Sequence, residues 1–101
     1  MNDIMDSLLR HYMNQDVAVF HTDEKGNSDI VAYVSVNKNL STSKKLEEAF
    51  MKTNTISSVW WRNEEITPMF AGNTCRSTSV GDVVMVDEKK FECEPVGWKE
   101  L

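Results

Sequence analysis

Four consecutive residues, Arg76, Ser77, Thr78 and Ser79, form the densest run of chemistry-bearing side chains in the chain. Three chemistries suit them. An arginine, hydroxyls and backbone N–H groups can surround a phosphate or carboxylate, making a small-ligand or anion site. A serine or threonine nucleophile needs a base, and the two histidines, His11 and His21, are both distant in sequence. The G-x-S-x-G turn that exposes a nucleophilic serine is absent. Small hydroxyl side chains also bond back to the main chain where a loop leads into a strand. A fourth use involves the tryptophan pair Trp60-Trp61. An exposed tryptophan beside Arg62 and Arg76 is an interface anchor, because aromatic and guanidinium groups dominate binding hot spots. The candidate partner-binding surface is therefore Trp61, Arg62, Arg76, Thr78 and Ser79.

Other chemistry is poorly supplied. No Walker A loop and no G-x-G-x-x-G is present, and four glycines leave little material for a phosphate cradle. Gly81-Asp82 before a β-branched run reads as a turn. His11 and His21 are not spaced as a metal pair. The adjacent acids Glu47-Glu48 and Glu64-Glu65 diverge by about 100° on a helix, which weakens them as acid–base pairs. Cys75 and Cys93 lack C-x-x-C spacing, so no zinc site is indicated and free thiols are expected. A disulfide stays open if the two lie on neighbouring strands. The expectation is no catalytic residue, no cofactor, no metal and no enzymatic activity.

The 101 residues leave room for one domain, 1–101. A net charge of −5 argues against direct nucleic-acid binding, which needs phosphate-neutralising bases. It leaves open an acidic nucleic-acid mimic, provided Asp82, Asp87, Glu88, Glu92 and Glu94 share one face. MNDIMDSLLR lacks a basic n-region and an apolar core, so no signal peptide is expected. No apolar run approaches a membrane span. A soluble cytoplasmic protein, monomer or homodimer, is the expectation.

Asn2 or Asp3 can cap a first helix. Ile4, Leu8 and Tyr12, with Met5, Leu9 and Met13, form its apolar stripe. Asp16 to His21 and Asp29 to Val36 read as strands of an antiparallel hairpin around TDEKGNS. The second is apolar on both faces and should be central. A helix capped by Thr42 or Ser43 runs to about Thr53. Leu46, Ala49, Phe50 and Thr53 line one side; Lys44, Lys45, Glu47, Glu48 and Lys52 lie mostly on the other. Ile56 to Arg62 reads as a short strand or extended segment. Asn63 to Gly72 reads as a loop anchored by Met69 and Phe70. Val83 to Val86 and Phe91 to Val96 make the strongest hairpin, around a turn at 87–90, with Phe91 and Cys93 pointing inward. Trp98 and Leu101 should close the core. The fold class is α+β, an antiparallel sheet of about five short strands with two helices in the order α-β-β-α-β-β-β.

The segments LEEAFMKTN, WW-x-N-E-x-I-T-P-x-F, CRSTSVGDVV and C-x-P-V-G-W-x-E-L resemble short uncharacterised proteins of bacteriophages and bacterial mobile elements. The likeness covers about residues 46–101. Its most distinctive parts are the RSTSVGD block and the C-terminal Gly-Trp pair. It implies a phage or prophage accessory protein and carries no assigned activity or catalytic residue. The leading expectation is a non-enzymatic module that engages or inhibits a host protein. An anion binder using the 76–79 loop and an acidic nucleic-acid mimic are the alternatives.

Overall fold

The computed structural model describes residues 12–55 and 59–101. The expected first helix lies outside the described residues except for Tyr12 and Met13, which are helical and exposed. Among the described residues that follow, six strands form one antiparallel sheet with one α-helix packed on it. The strands are β1 (Asn14–Thr22), β2 (Ser28–Asn37), β3 (Ile66–Pro68), β4 (Val83–Val86), β5 (Lys89–Cys93) and β6 (Trp98–Glu100), and the helix is α1 (Thr42–Thr53). Their order across the sheet is β3-β2-β1-β4-β5-β6. The α+β class and antiparallel pairing match the sequence reading, and β2 is interior as its two apolar faces require.

The β1–β2 hairpin turns on Asp23, whose Oδ1 accepts from the N–H groups of Lys25 and Asn27, both at 2.9 Å. The register shifts between Val19 and Phe20. Val17 and Val19 meet Val34 and Ala32 across the pair, and Val84 sits opposite Val19 on the other side. These residues make the inner face, all of them inaccessible to solvent. Each buried valine contributes on the order of 1.5–3 kcal/mol.

Helix α1 starts at Ser41, whose hydroxyl accepts from the Lys44 N–H at 3.2 Å; the cap is one residue before the expected position. Leu46, Ala49 and Thr53 face the sheet as expected. Lys45 also faces inward, against expectation. It is buried, with its ammonium 3.8 Å from Asp87 at the β4–β5 turn. Its long stem crosses apolar surface while the charge reaches an exposed carboxylate.

Four local assignments differ from the sequence reading. Residues 60–62 form a 3₁₀ turn rather than a strand, and residues 56–58 lie outside the described set. The expected loop 63–72 contains β3, paired with β2 through Ile66–Val34 and Pro68–Ala32. The second hairpin turns on two residues, Asp87 and Glu88, between the pair Val86–Lys89, so β5 starts earlier and ends at Cys93. Beyond it, Gly97 at φ 78° reverses the chain into β6, a strand absent from the expected element order. Trp98 packs on the core through Phe50, with ring centroids 6.2 Å apart and near perpendicular. Leu101 is exposed and does not close the core.

Candidate functional site

The 76–79 run lies against the C-terminus of α1 and the end of β1. The Thr78 N–H donates to Thr53 O at 3.0 Å, Ser77 Oγ donates to Thr55 O at 3.2 Å, and the Asn54 amide donates to Thr78 O. The indole of Trp60 reaches the carbonyls of Cys75 and Arg76 at 3.2 and 3.1 Å. The loop is therefore held against α1 and Trp60 by bonds that do not involve the Arg76 side chain.

It does bind an anion, and that anion is its own. The carboxylate of Asp82, only 1% exposed, receives Arg76 Nη1 at 2.6 Å and Nη2 at 2.7 Å. The N–H groups of Thr22 and Ser79 complete the set at 2.9 and 2.8 Å. Burial opposes ionisation of Asp82, but the guanidinium and the two backbone donors outweigh it and hold the carboxyl below its ordinary range. The hydrogen bonds to Asp82 raise Arg76 in turn. The bidentate fork is the strong form of this pair.

His21 belongs to the same cluster. Its Nε2 lies 2.9 Å from Thr78 Oγ1 and 3.9 Å from Asp82 Oδ2, and its Nδ1 lies 3.6 Å from Cys75 Sγ. Burial pushes His21 down, against the pull of Asp82 and with the push of Arg76. Burial pushes the Cys75 thiol up. Both shifts favour the neutral pair over a thiolate and an imidazolium. The neutral imidazole then exchanges hydrogen bonds with the Cys75 thiol at Nδ1 and the Thr78 hydroxyl at Nε2. An activated cysteine requires the reverse, a thiol lowered by a nearby positive charge. Cys93, buried on β5, is likewise a free thiol raised by burial.

The five predicted surface residues are thus placed differently. Trp61 and Arg76 come together around a shallow depression of about 430 Å³ that also includes Cys75 and Ser77. Arg62 is exposed. Ser79 is exposed, and its N–H is committed to Asp82. Thr78 has no exposed surface and is an interior partner of His21, so it cannot meet another protein directly. Trp60 and Trp61 do not face opposite sides as an extended segment would place them. Their rings meet edge-on at 5.6 Å, and Phe70 closes the cluster at 5.9 and 5.4 Å. The five acids tested as a mimic surface do not share a face. Asp82 is interior, Asp87 is held by Gln15 and Lys45, and Glu92 alternates away from the inward Phe91 and Cys93.

A larger feature lies elsewhere. Between α1 and the β5–β6 end of the sheet runs an open groove of about 740 Å³. Its apolar lining includes Leu46, Phe50, Met51, Val80, Phe91 and Trp98. Met51 and Val80 are 62% and 58% exposed. Glu47, Glu94 and Glu100 stand along it, and no lysine or arginine lines it. The sequence pattern puts Phe50 and Trp98 in the core and gives Met51 and Val80 no role. The available signal was Met51 directly beside Phe50 on a helix otherwise polar outside its core stripe.

Searches with this chain find no matching protein family, no matching curated protein and no matching solved structure. Among the described residues, no helix is long and apolar enough to cross a membrane.

Proposed function

We propose that this chain is a non-enzymatic protein-binding module, and that its binding surface is the α1–β6 groove. The observation that carries this reading is the contrast between the two candidate sites. The Arg76–Asp82–His21–Cys75 cluster satisfies its own charges and keeps its one thiol–imidazole pair neutral. The groove leaves Met51 and Val80 exposed beside the half-buried, mutually packed Phe50 and Trp98. Contiguous exposed apolar surface rimmed by polar groups is the usual mark of an interaction site. A phage or mobile-element origin, and with it a host protein as partner, rests on the sequence resemblance over residues 46–101.

Affinity capture from bacterial lysate with mass spectrometry tests the module. The wild-type chain should retain a specific protein that Met51→Asp loses and Arg62→Ala keeps. Met51 is largely exposed, so this change leaves the fold intact. A partner lost with Trp61→Ala or Arg62→Ala, yet kept by Met51→Asp, would move the surface to the Trp61–Arg76 depression. Partners kept by all three variants would sink the reading.

A further inference from the structure

We infer that the groove takes an extended segment of the partner as an added strand on the free edge of β6, and that this segment is apolar at its centre and basic at its flanks. The inference rests on the protein-binding reading and specifies how the groove is filled.

The hydrogen-bond parity of β6 is the first support. Glu94 N–H donates to Gly97 O at 3.0 Å, and Leu101 N–H donates to Lys90 O at 2.9 Å. In an antiparallel pair, alternate residues turn their backbone groups to the same neighbour. Residues 97, 99 and 101 therefore face β5, and the N–H and C=O groups of Trp98 and Glu100 face the open edge. Those same two residues line the groove. Backbone donors and acceptors thus stand at one wall of an apolar cleft whose other wall is the helix face of Thr42, Leu46, Phe50 and Met51. A strand laid there pairs with the edge and places alternate side chains between sheet and helix. A helix in the same place would cover Trp98 and Glu100 without satisfying their backbone groups.

The opposite edge makes the contrast. β3 ends in Pro68, which has no N–H to donate, so that edge is blunted. β6 contains no proline.

Charge selects the occupant. Glu47, Glu94 and Glu100 border the groove, and the whole chain carries −5. A lysine or arginine on either side of an apolar centre meets these carboxylates. A second copy fits badly: two β6 edges joined antiparallel about Lys99 set lysine against lysine and bring two acidic rims together.

The test uses isotope-labelled full chain and three synthetic probes. One is an acetylated Lys-Lys-Val-Leu-Val-Lys-Lys peptide. The second replaces every lysine with glutamate. The third is the lysine peptide with alternate backbone nitrogens methylated. The lysine peptide should shift the amide resonances of Trp98 and Glu100, and bind at least about tenfold more tightly than either other probe. Combining Glu47→Lys with Glu100→Lys, both at exposed positions, should reverse the preference between lysine and glutamate peptides. Equal binding of the methylated probe would overturn strand addition while leaving a protein-binding groove. Equal binding of the glutamate peptide would overturn the charge assignment. Absence of any shift in groove amides, or a dimer whose groove amides are already protected, would overturn the inference; the capture result would still decide the broader reading.

Discussion

Asp82 is the residue on which the inner cluster depends, because a buried carboxylate must be paired to remain charged. Its pairing has a consequence in acid. The folded carboxyl lies below its unfolded value, so the stability it contributes is present at neutral pH and is lost as pH falls through the folded value. His21 acts in the same direction by a different route. Its folded value lies below the ordinary 6.5, so near that pH the unfolded chain binds more protons than the folded one. Stability should therefore fall as pH is lowered from about 7, first through His21 and then, in stronger acid, through Asp82. Urea midpoints measured across this range should show both arms, and His21→Gln should flatten the upper one. A midpoint independent of pH between 7 and 5 would mean that His21 is not held neutral. This cluster was only half legible in the sequence. Arg76 and its hydroxyl neighbours stood out as an anion cradle, but the anion, six residues later, looked like an ordinary turn aspartate. His21 looked like an isolated strand end. The alternation Val17, Val19, His21 does place it on the inner face, yet nothing local says that Cys75 and Thr78 will meet it there.

At the scale of elements, the β4–β5 hairpin carries a local conflict between sequence and backbone. Its two turn residues, Asp87 and Glu88, have φ of 50° and 69°, the left-handed pairing that matches sheet twist. Glycine or asparagine usually occupies such positions, since a side chain there costs about 1–2 kcal/mol. Asp87 has compensation from Gln15 Nε2 at 3.1 Å and from Lys45. Glu88 has no such contact among the described residues. Glu88→Gly should therefore stabilise the protein by about 0.5–1 kcal/mol, the relieved strain less the greater freedom of glycine in the unfolded chain. A higher urea midpoint with an unchanged slope is the expected result, and a lower midpoint would show that the turn is not strained. The same hairpin explains which elements were readable. A β-branched run on each side of a polar turn announces itself locally. β3 does not, because Ile66-Thr67-Pro68 is short, ends in proline, and exists through pairing with β2. β6 does not, because Trp98-Lys99-Glu100 carries one apolar residue. Residues 60–62 read as a strand from their tryptophans, and the edge-on packing of Trp60, Trp61 and Phe70 overrides that preference.

For the whole molecule, the centre of the sheet and its β6 edge differ in character. The C-terminus of the central strand β1 and the 76–79 loop form a closed, self-neutralised cluster, whereas the β6 side of the sheet keeps its edge, Met51, Val80 and the acids Glu47 and Glu100 exposed. On the proposed groove reading, the net charge of −5 acts as a field that draws basic segments toward the groove. Fields of this kind act mainly on encounter, whereas short-range packing and backbone pairing act on residence. Salt shortens the screening length from about 10 Å at 0.1 M to about 3 Å at 1 M. The association rate of the lysine peptide should therefore fall several-fold across that range, with a much smaller change in its dissociation rate, as read by stopped-flow tryptophan fluorescence through Trp98. Removing two of the rim carboxylates, with Glu47→Gln and Glu100→Gln, should lower the association rate at 0.1 M and reduce its dependence on salt. The apolar wall and the β6 edge are untouched by those changes, so the dissociation rate should stay near that of the parent. If salt instead speeds dissociation and leaves association constant, the carboxylates make short-range contacts with the bound segment, and the long-range role assigned to the molecule's charge is wrong.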